Sequence, residues 1–169
     1  MTDAERAAEH LVNNPSFSGL NLGEATEFLR GGKSRSFGVG EVLLKEGAVG
    51  TSLIVVTAGE VEVSRGGRSL ALLGPGATLG EMSLVDPGPR SATVTARRAG
   101  SLIELDRTTF INDLESGGTV SVKALQSITE TVFKRLVEVN SQVETEMVTP
   151  RGNVFGRLWR GITTRRRGE

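Results

Sequence analysis

The chain changes its hydrophobic rhythm twice. Over residues 3–12 and 15–32 the apolar positions recur at helical spacing, which predicts two short helices, with Asp3 placed to cap the first and Leu20, Leu22, Phe28 and Leu29 buried along the second. From Ser36 the rhythm becomes one of alternation and tight turns. Residues 41–44, 52–57, 60–64, 69–73, 93–96 and 101–106 read as strands, the clearest being Val61 and Val63 set between Glu60, Glu62 and Ser64. Glu46-Gly47 and Ala58-Gly59 read as turns, and Gly66-Gly67 is a two-residue hairpin signal. About eight such strands predict an α+β protein built on an antiparallel jelly-roll barrel, which limits exposed edges and leaves a concave face for a ligand. After a short helix over 107–114 and a break at Gly117-Gly118, residues 119–147 run without Pro or Gly, enough for a helix of about 40 Å. Its residues Val122, Leu125, Thr129, Val132, Leu136, Val139 and Val143 keep a 3,4 spacing, the seam of a coiled coil. Ile128, Phe133 and Val137 fall outside that seam and are expected to cover the barrel.

These elements divide the chain into an N-terminal helix (1–15), a β-barrel (16–118), a long C-terminal helix (119–149) and a tail (150–169). With 169 residues, one domain with an appendage is the economical reading. Overall neutrality hides an asymmetry: the tail carries six Arg and one Glu, a net of +5, against −5 for the remainder. Val154, Phe155, Leu158, Trp159 and Ile162 share one helical face there, flanked by Arg157 and Arg160. A basic amphipathic segment over 151–167 suits an anionic membrane or an acidic groove on a protein partner; a loose solubilising tail is the simpler alternative. The absence of Cys excludes disulfides and thiolate chemistry. No leader-like or membrane-spanning run occurs, so a cytoplasmic protein is expected. With no Tyr, a single His (His10, on a polar helix) and no cluster of metal-ligand residues, neither a nucleophile–base pair nor a metal centre can be assembled, and a binding module is expected in place of an enzyme.

One stretch carries candidate chemistry. Residues 79–96, LGEMSLVDPGPRSATVTA, join a Gly-Glu pair, a short apolar turn, a Pro/Gly loop and an Arg followed by small residues. A helical turn starting at Met82 presents backbone N–H groups to an anion. Arg90 adds a permanently charged planar fork, and Ser91 and Ala92 are small enough for their own N–H groups to approach the same anion. Glu81 accepts but cannot donate, so it calls for hydroxyl donors beside the anion. Taken alone, the residues also fit an ordinary strand–loop–strand connection with a surface ion pair. Two other glycine-rich stretches carry no such chemistry: Gly32-Lys33-Ser34 lacks the upstream Gly of a phosphate-binding loop, Glu27 standing there, and residues 74–80 lack the following long helix of a dinucleotide site.

The stretch resembles the phosphate-binding cassette of the cyclic nucleotide-binding domain, the family that includes catabolite activator protein and the regulatory subunit of protein kinase A. Gly80-Glu81 and residues 89–93, PRSAT, carry the resemblance, which extends over roughly residues 16–145. It implies a jelly-roll fold and a cyclic nucleotide ligand, cAMP first and cGMP second, with no metal. Glu81 would take the ribose 2′-hydroxyl and Arg90 an exocyclic phosphate oxygen, while backbone groups of Met82, Ser83, Ser91 and Ala92 complete the cradle beside Gly80. The long helix would lid the purine near Val139 and Asn140, where Asn140 could reach a base edge, and would pair two subunits into a homodimer. The catabolite-activator branch continues into a helix-turn-helix domain; the tail here is too short for one, so specific DNA binding is not expected. The alternative function is a dimeric scaffold with vestigial nucleotide binding that recruits a partner through its Arg/Trp tail.

Overall fold

A computed structural model of the chain describes residues 2–148, with side chains as far as residue 138; the tail lies outside the described residues. Helix α1 (Asp3–Leu11) is capped by Thr2, not Asp3: the Thr2 hydroxyl accepts from the Glu5 amide while the Glu5 carboxylate accepts from the Thr2 amide, a reciprocal capping box. Asp3 instead pairs with Arg6. The second helical stretch is broken into a 3-10 turn, Pro15–Phe17, and α2, Leu22–Arg30, which Asn21 starts with a second capping box onto Glu24. Leu20, Phe28 and Leu29 are buried, whereas Leu22, at the first position of α2, is exposed.

Among the described residues six strands, fewer than the eight expected, follow as β1 (Lys33–Phe37), β2 (Val42–Leu44), β3 (Ser52–Arg65), β4 (Arg68–Leu73), β5 (Thr78–Leu79) and β6 (Thr93–Asp106). They form one antiparallel sheet in the order β1-β6-β3-β4, with β2 added to β6 and β5 to β3, and the path does not close into a barrel. The count falls because β3 and β6 are each single 14-residue strands running through the places where the sequence suggests breaks. Their pairing shifts register between Val56 and Val61, so the change of direction is absorbed in bulges. Gly59 sits there at φ 87°, and a Cβ on it would lie 2.8 Å from the Ala99 carbonyl oxygen and from the Gly100 Cα. Strand β1 lacks any apolar alternation apart from Phe37, and forms because its backbone completes a ladder with β6, Lys33 opposite Glu104 through Phe37 opposite Gly100. The β3–β4 hairpin turns at Gly66 and Gly67, both at positive φ as a two-residue turn of this hand requires.

Phe37, Ile54, Val56, Val61, Val94, Ala96 and Leu102 form the interior of the sheet, bordered by half-buried Leu43, Leu44, Val63, Leu73, Ala77 and Leu79. Leu53 and Val55, also fully buried, alternate to the other face of β3. A second apolar layer comes from the helices, where the Phe28 ring packs against Phe17 and Phe110 at centroid separations of 5.6 and 5.9 Å. The single turn α3 (Met82–Val85) lies between β5 and β6, and α4 (Arg107–Glu115) and α5 (Thr119–Val148) close the described chain. The chain divides into two compact units, Met1–Thr131 and Val132–Glu169, the division falling inside α5. Within the first unit α5 buries Val120, Ala124 and Ile128, and accepts the Gly19 amide on the Ser127 hydroxyl at 3.1 Å. Of the three residues expected to cover the barrel, Ile128 is buried while Phe133 and Val137 are exposed, as is Leu136 of the predicted seam. No helix among the described residues is long and apolar enough to cross a membrane.

Candidate functional site

Two loops bring the candidate residues together. The segment between β2 and β3 pairs with the segment leading to β6: the Arg90 amide donates to the Ala48 carbonyl (2.8 Å), the Gly47 amide to Arg90 (2.9 Å) and the Gly50 amide to Gly88 (2.9 Å), with Val49 bridged to Pro89. Arg90 is thus fixed at its backbone before its side chain makes any contact. The guanidinium then turns inward. Its Nη1 donates to the Ser83 hydroxyl (2.9 Å), and its Nη2 to the Ser52 carbonyl (2.7 Å) and, at 3.3 Å, to the Ser52 hydroxyl. Ser52 and Ser83 are both buried. A guanidinium offers five N–H donors and accepts nothing, so these contacts leave part of the fork to donate to an anion. Burial pulls the Arg90 pKa below its ordinary value, and the negative charge of Glu104 partly offsets this. The group stays a cation at any ordinary pH.

Three glycines make the arrangement possible. Gly80, at the end of β5, has φ 83°; a Cβ there would overlap the Arg90 Nη1 and lie 2.8 Å from the Ser52 carbonyl oxygen. Gly50 is buried, and a Cβ there would overlap the Ser83 hydroxyl and lie 2.8 Å from the Arg90 Nε. Gly47, at φ 77°, turns the chain into the paired loop. A planar cation is therefore held between backbone on two sides and hydroxyls on a third, a surround that suits a tetrahedral oxyanion approaching its open edge.

A model of the cyclic nucleotide-binding domain matches residues 34–116. A cyclic AMP receptor protein of Thermus thermophilus is 38% identical over 106 residues, covering 60% of this chain and 49% of its own length. Among solved structures, the N-terminal domain of a transcriptional regulator from Streptomyces coelicolor superposes with a TM-score of 0.65 at 33% identity, covering 75% of this chain and 94% of that one. The regulatory domain of Toxoplasma gondii PKA, solved with cAMP, superposes with a TM-score of 0.57 at 30% identity, over 64% of this chain and 43% of that one. The chain belongs to the cyclic nucleotide-binding domain family. It spans about half the length of the Thermus relative.

The candidate site residues are placed differently from one another. Gly80, Ser83 and Arg90 meet directly. Glu81 is half-buried at the start of α3, with its backbone already helical. Met82 is exposed. The Ser83 amide is not an open donor, as the sequence suggests, because it closes a turn onto the Gly80 carbonyl at 3.0 Å; Ser83 meets Arg90 through its hydroxyl. Ser91 is exposed and Ala92 half-buried where the chain bends into β6. The side chains of Val139 and Asn140 lie outside the described residues. Gly50 and Ser52 belong to the site and carry no local signal for it: they reach Arg90 only through the loop pairing and through β3, some forty residues earlier in the chain.

Proposed function

We propose that this protein is a non-catalytic receptor for a cyclic nucleotide, cAMP before cGMP. The observation that carries the proposal is the half-buried Arg90 fork, seated on Gly80 and Gly50 and steadied by Ser52 and Ser83, at the start of the turn that begins with Glu81. In this reading Arg90 donates to an exocyclic phosphate oxygen and Glu81 accepts from the ribose 2′-hydroxyl. The Ser91 and Ala92 amides and the Met82 amide border the phosphate. cAMP is favoured because the Thermus relative is named for it and the Toxoplasma regulatory domain is solved with it. Ligand binding is coupled to the position of α5, and a full switch from 1:99 to 99:1 requires about 5.5 kcal/mol of preference for one state. Charge-assisted hydrogen bonds contribute roughly 1.5 to 3 kcal/mol each, so two at the upper end or four at the lower end, made in one state only, reach that figure. The exposed Phe133, Leu136 and Val137 give α5 an apolar surface suited to a second copy of the chain, making the receptor a homodimer. Residues 151–167 then deliver the output to an acidic protein partner or an anionic membrane.

Isothermal titration with cAMP and with cGMP tests the proposal. Wild type is expected to bind at least one of them at micromolar Kd or tighter, and Arg90→Ala to weaken that binding by about 2 to 5 kcal/mol, because it strips a charged partner from the phosphate. If neither nucleotide binds, the receptor reading fails and the scaffold alternative replaces it.

A further inference from the structure

The geometry points to Glu104 as the residue that orients Arg90, acting through the hydroxyl of Ser52. The inference rests on the receptor reading of the site, but concerns a residue outside the cassette, on the neighbouring strand β6. A hydroxyl has one proton to give and two lone pairs to receive with. Since the Arg90 Nη2 can only donate, its 3.3 Å contact with the Ser52 Oγ runs from cation to hydroxyl. The single Ser52 proton is then directed to the Glu104 Oε1, at 2.7 Å. Polarity along the path is fixed as guanidinium, hydroxyl, carboxylate.

Glu104 is itself anchored from the far side. Its Oε2 lies 3.5 Å from the Arg35 Nε, and Arg35 donates through Nη1 to Glu41 at 2.7 Å, while the other Glu41 oxygen accepts from the Gly38 amide at 3.1 Å. The path therefore crosses from the edge strand β1 through β6 and β3 to the cassette. Glu41 is held below the usual carboxylate range chiefly by its hydrogen bond from Arg35, as a charged anchor should be.

The relay solves a problem that a direct ion pair would create. Among the described residues Arg90 has no ion-pair partner within 4.0 Å. A carboxylate placed on the fork itself would compete with a phosphate for the same donors. Set one hydroxyl away, Glu104 supplies the counter-charge and the orientation without occupying the fork. Glu104 is a positioning residue: it acts on the ligand only through Ser52 and Arg90.

The test uses the full chain and two readouts. In nucleotide-free protein, the 15N-resolved guanidinium signals of Arg90, assigned by their loss in Arg90→Lys, report how firmly the fork is held. Glu104→Ala and Ser52→Ala are each expected to speed exchange of the Arg90 Nη protons at least tenfold and to weaken cAMP binding about five- to twentyfold. The double variant is expected to lose no more than the worse single one, since the two residues form one path. Glu104→Gln, whose amide oxygen still accepts the Ser52 proton, recovers most of the loss seen with Glu104→Ala. An Arg90 exchange rate unchanged in Glu104→Ala overturns the inference, as does a double variant whose loss is the product of the two single losses. Should wild type bind neither cAMP nor cGMP, the receptor reading falls by itself, and the exchange measurement still decides whether Glu104 orients Arg90.

Discussion

Gly50→Ala separates the requirements of the site from those of the fold. In an unstrained position the change stabilises a protein by about 0.4 to 1 kcal/mol, by narrowing the unfolded ensemble. Gly50 is not such a position: the added methyl overlaps the Ser83 hydroxyl and lies 2.8 Å from the Arg90 Nε and 3.0 Å from its Cδ. None of those atoms is backbone. Ser83 can rotate and the Arg90 stem can swing, so the overpacking cost stays at the lower end of about 1 to 3 kcal/mol and is partly offset by the entropic gain. The net effect on folding is about 1 kcal/mol, or 2 to 4 °C in Tm for a chain of this size. The site pays more heavily. Moving the stem withdraws Nη1 from Ser83 and misaligns the fork, which forfeits at least one charge-assisted hydrogen bond to the ligand, about 1.5 to 3 kcal/mol. That is roughly a 10- to 150-fold rise in Kd. Calorimetric titration with cAMP, with a thermal melt of the same sample, reads both quantities. An unchanged Kd refutes the claim that Gly50 and Arg90 are in contact at the binding fork, and a fall in Tm above about 10 °C shows that the glycine serves the core instead.

Ile128→Ala, at a fully buried position of α5, is expected to cost about 2 to 5 kcal/mol in urea unfolding, because the void lies in the helical layer and cannot be filled by solvent. Glu24 and Glu41 have folded pKa values lowered from the ordinary 4.5, first by hydrogen bonds from Lys123 and Arg35 respectively. A depressed carboxylate contributes stability above its unfolded pKa and loses it as pH falls through the folded value. Melting temperature should therefore decline as pH drops below about 4.5, with a smaller decline in Glu24→Gln than in wild type. Phe133→Glu with Leu136→Glu should shift the sedimentation equilibrium of the chain toward monomer without loss of helicity; a mass unchanged from that of a wild-type dimer would exclude this stretch from the interface.

Much of the architecture is legible where a backbone term acts locally. Gly66-Gly67 specifies its hairpin because few other pairs accept two positive φ angles, and the Gly-free run after Gly118 specifies α5 because nothing interrupts its ladder. Gly80 to Ala92 stand out as a candidate site because they are contiguous, but their spacing alone also fits an ordinary loop, and the cassette reading comes from the family resemblance. Strand β1 is not legible, because KSRSF has no apolar alternation and takes its form from β6; nor is the continuity of β3 and β6, because the bulges at Gly59 depend on Gly100 across the ladder. By itself the sequence determined the fold class and the long helix, both consequences of neighbouring residues acting on one another. Only the tertiary structure decided that Gly50, Ser52 and Glu104 join Arg90, because steric fit between three distant segments and the register of β3 on β6 place them there.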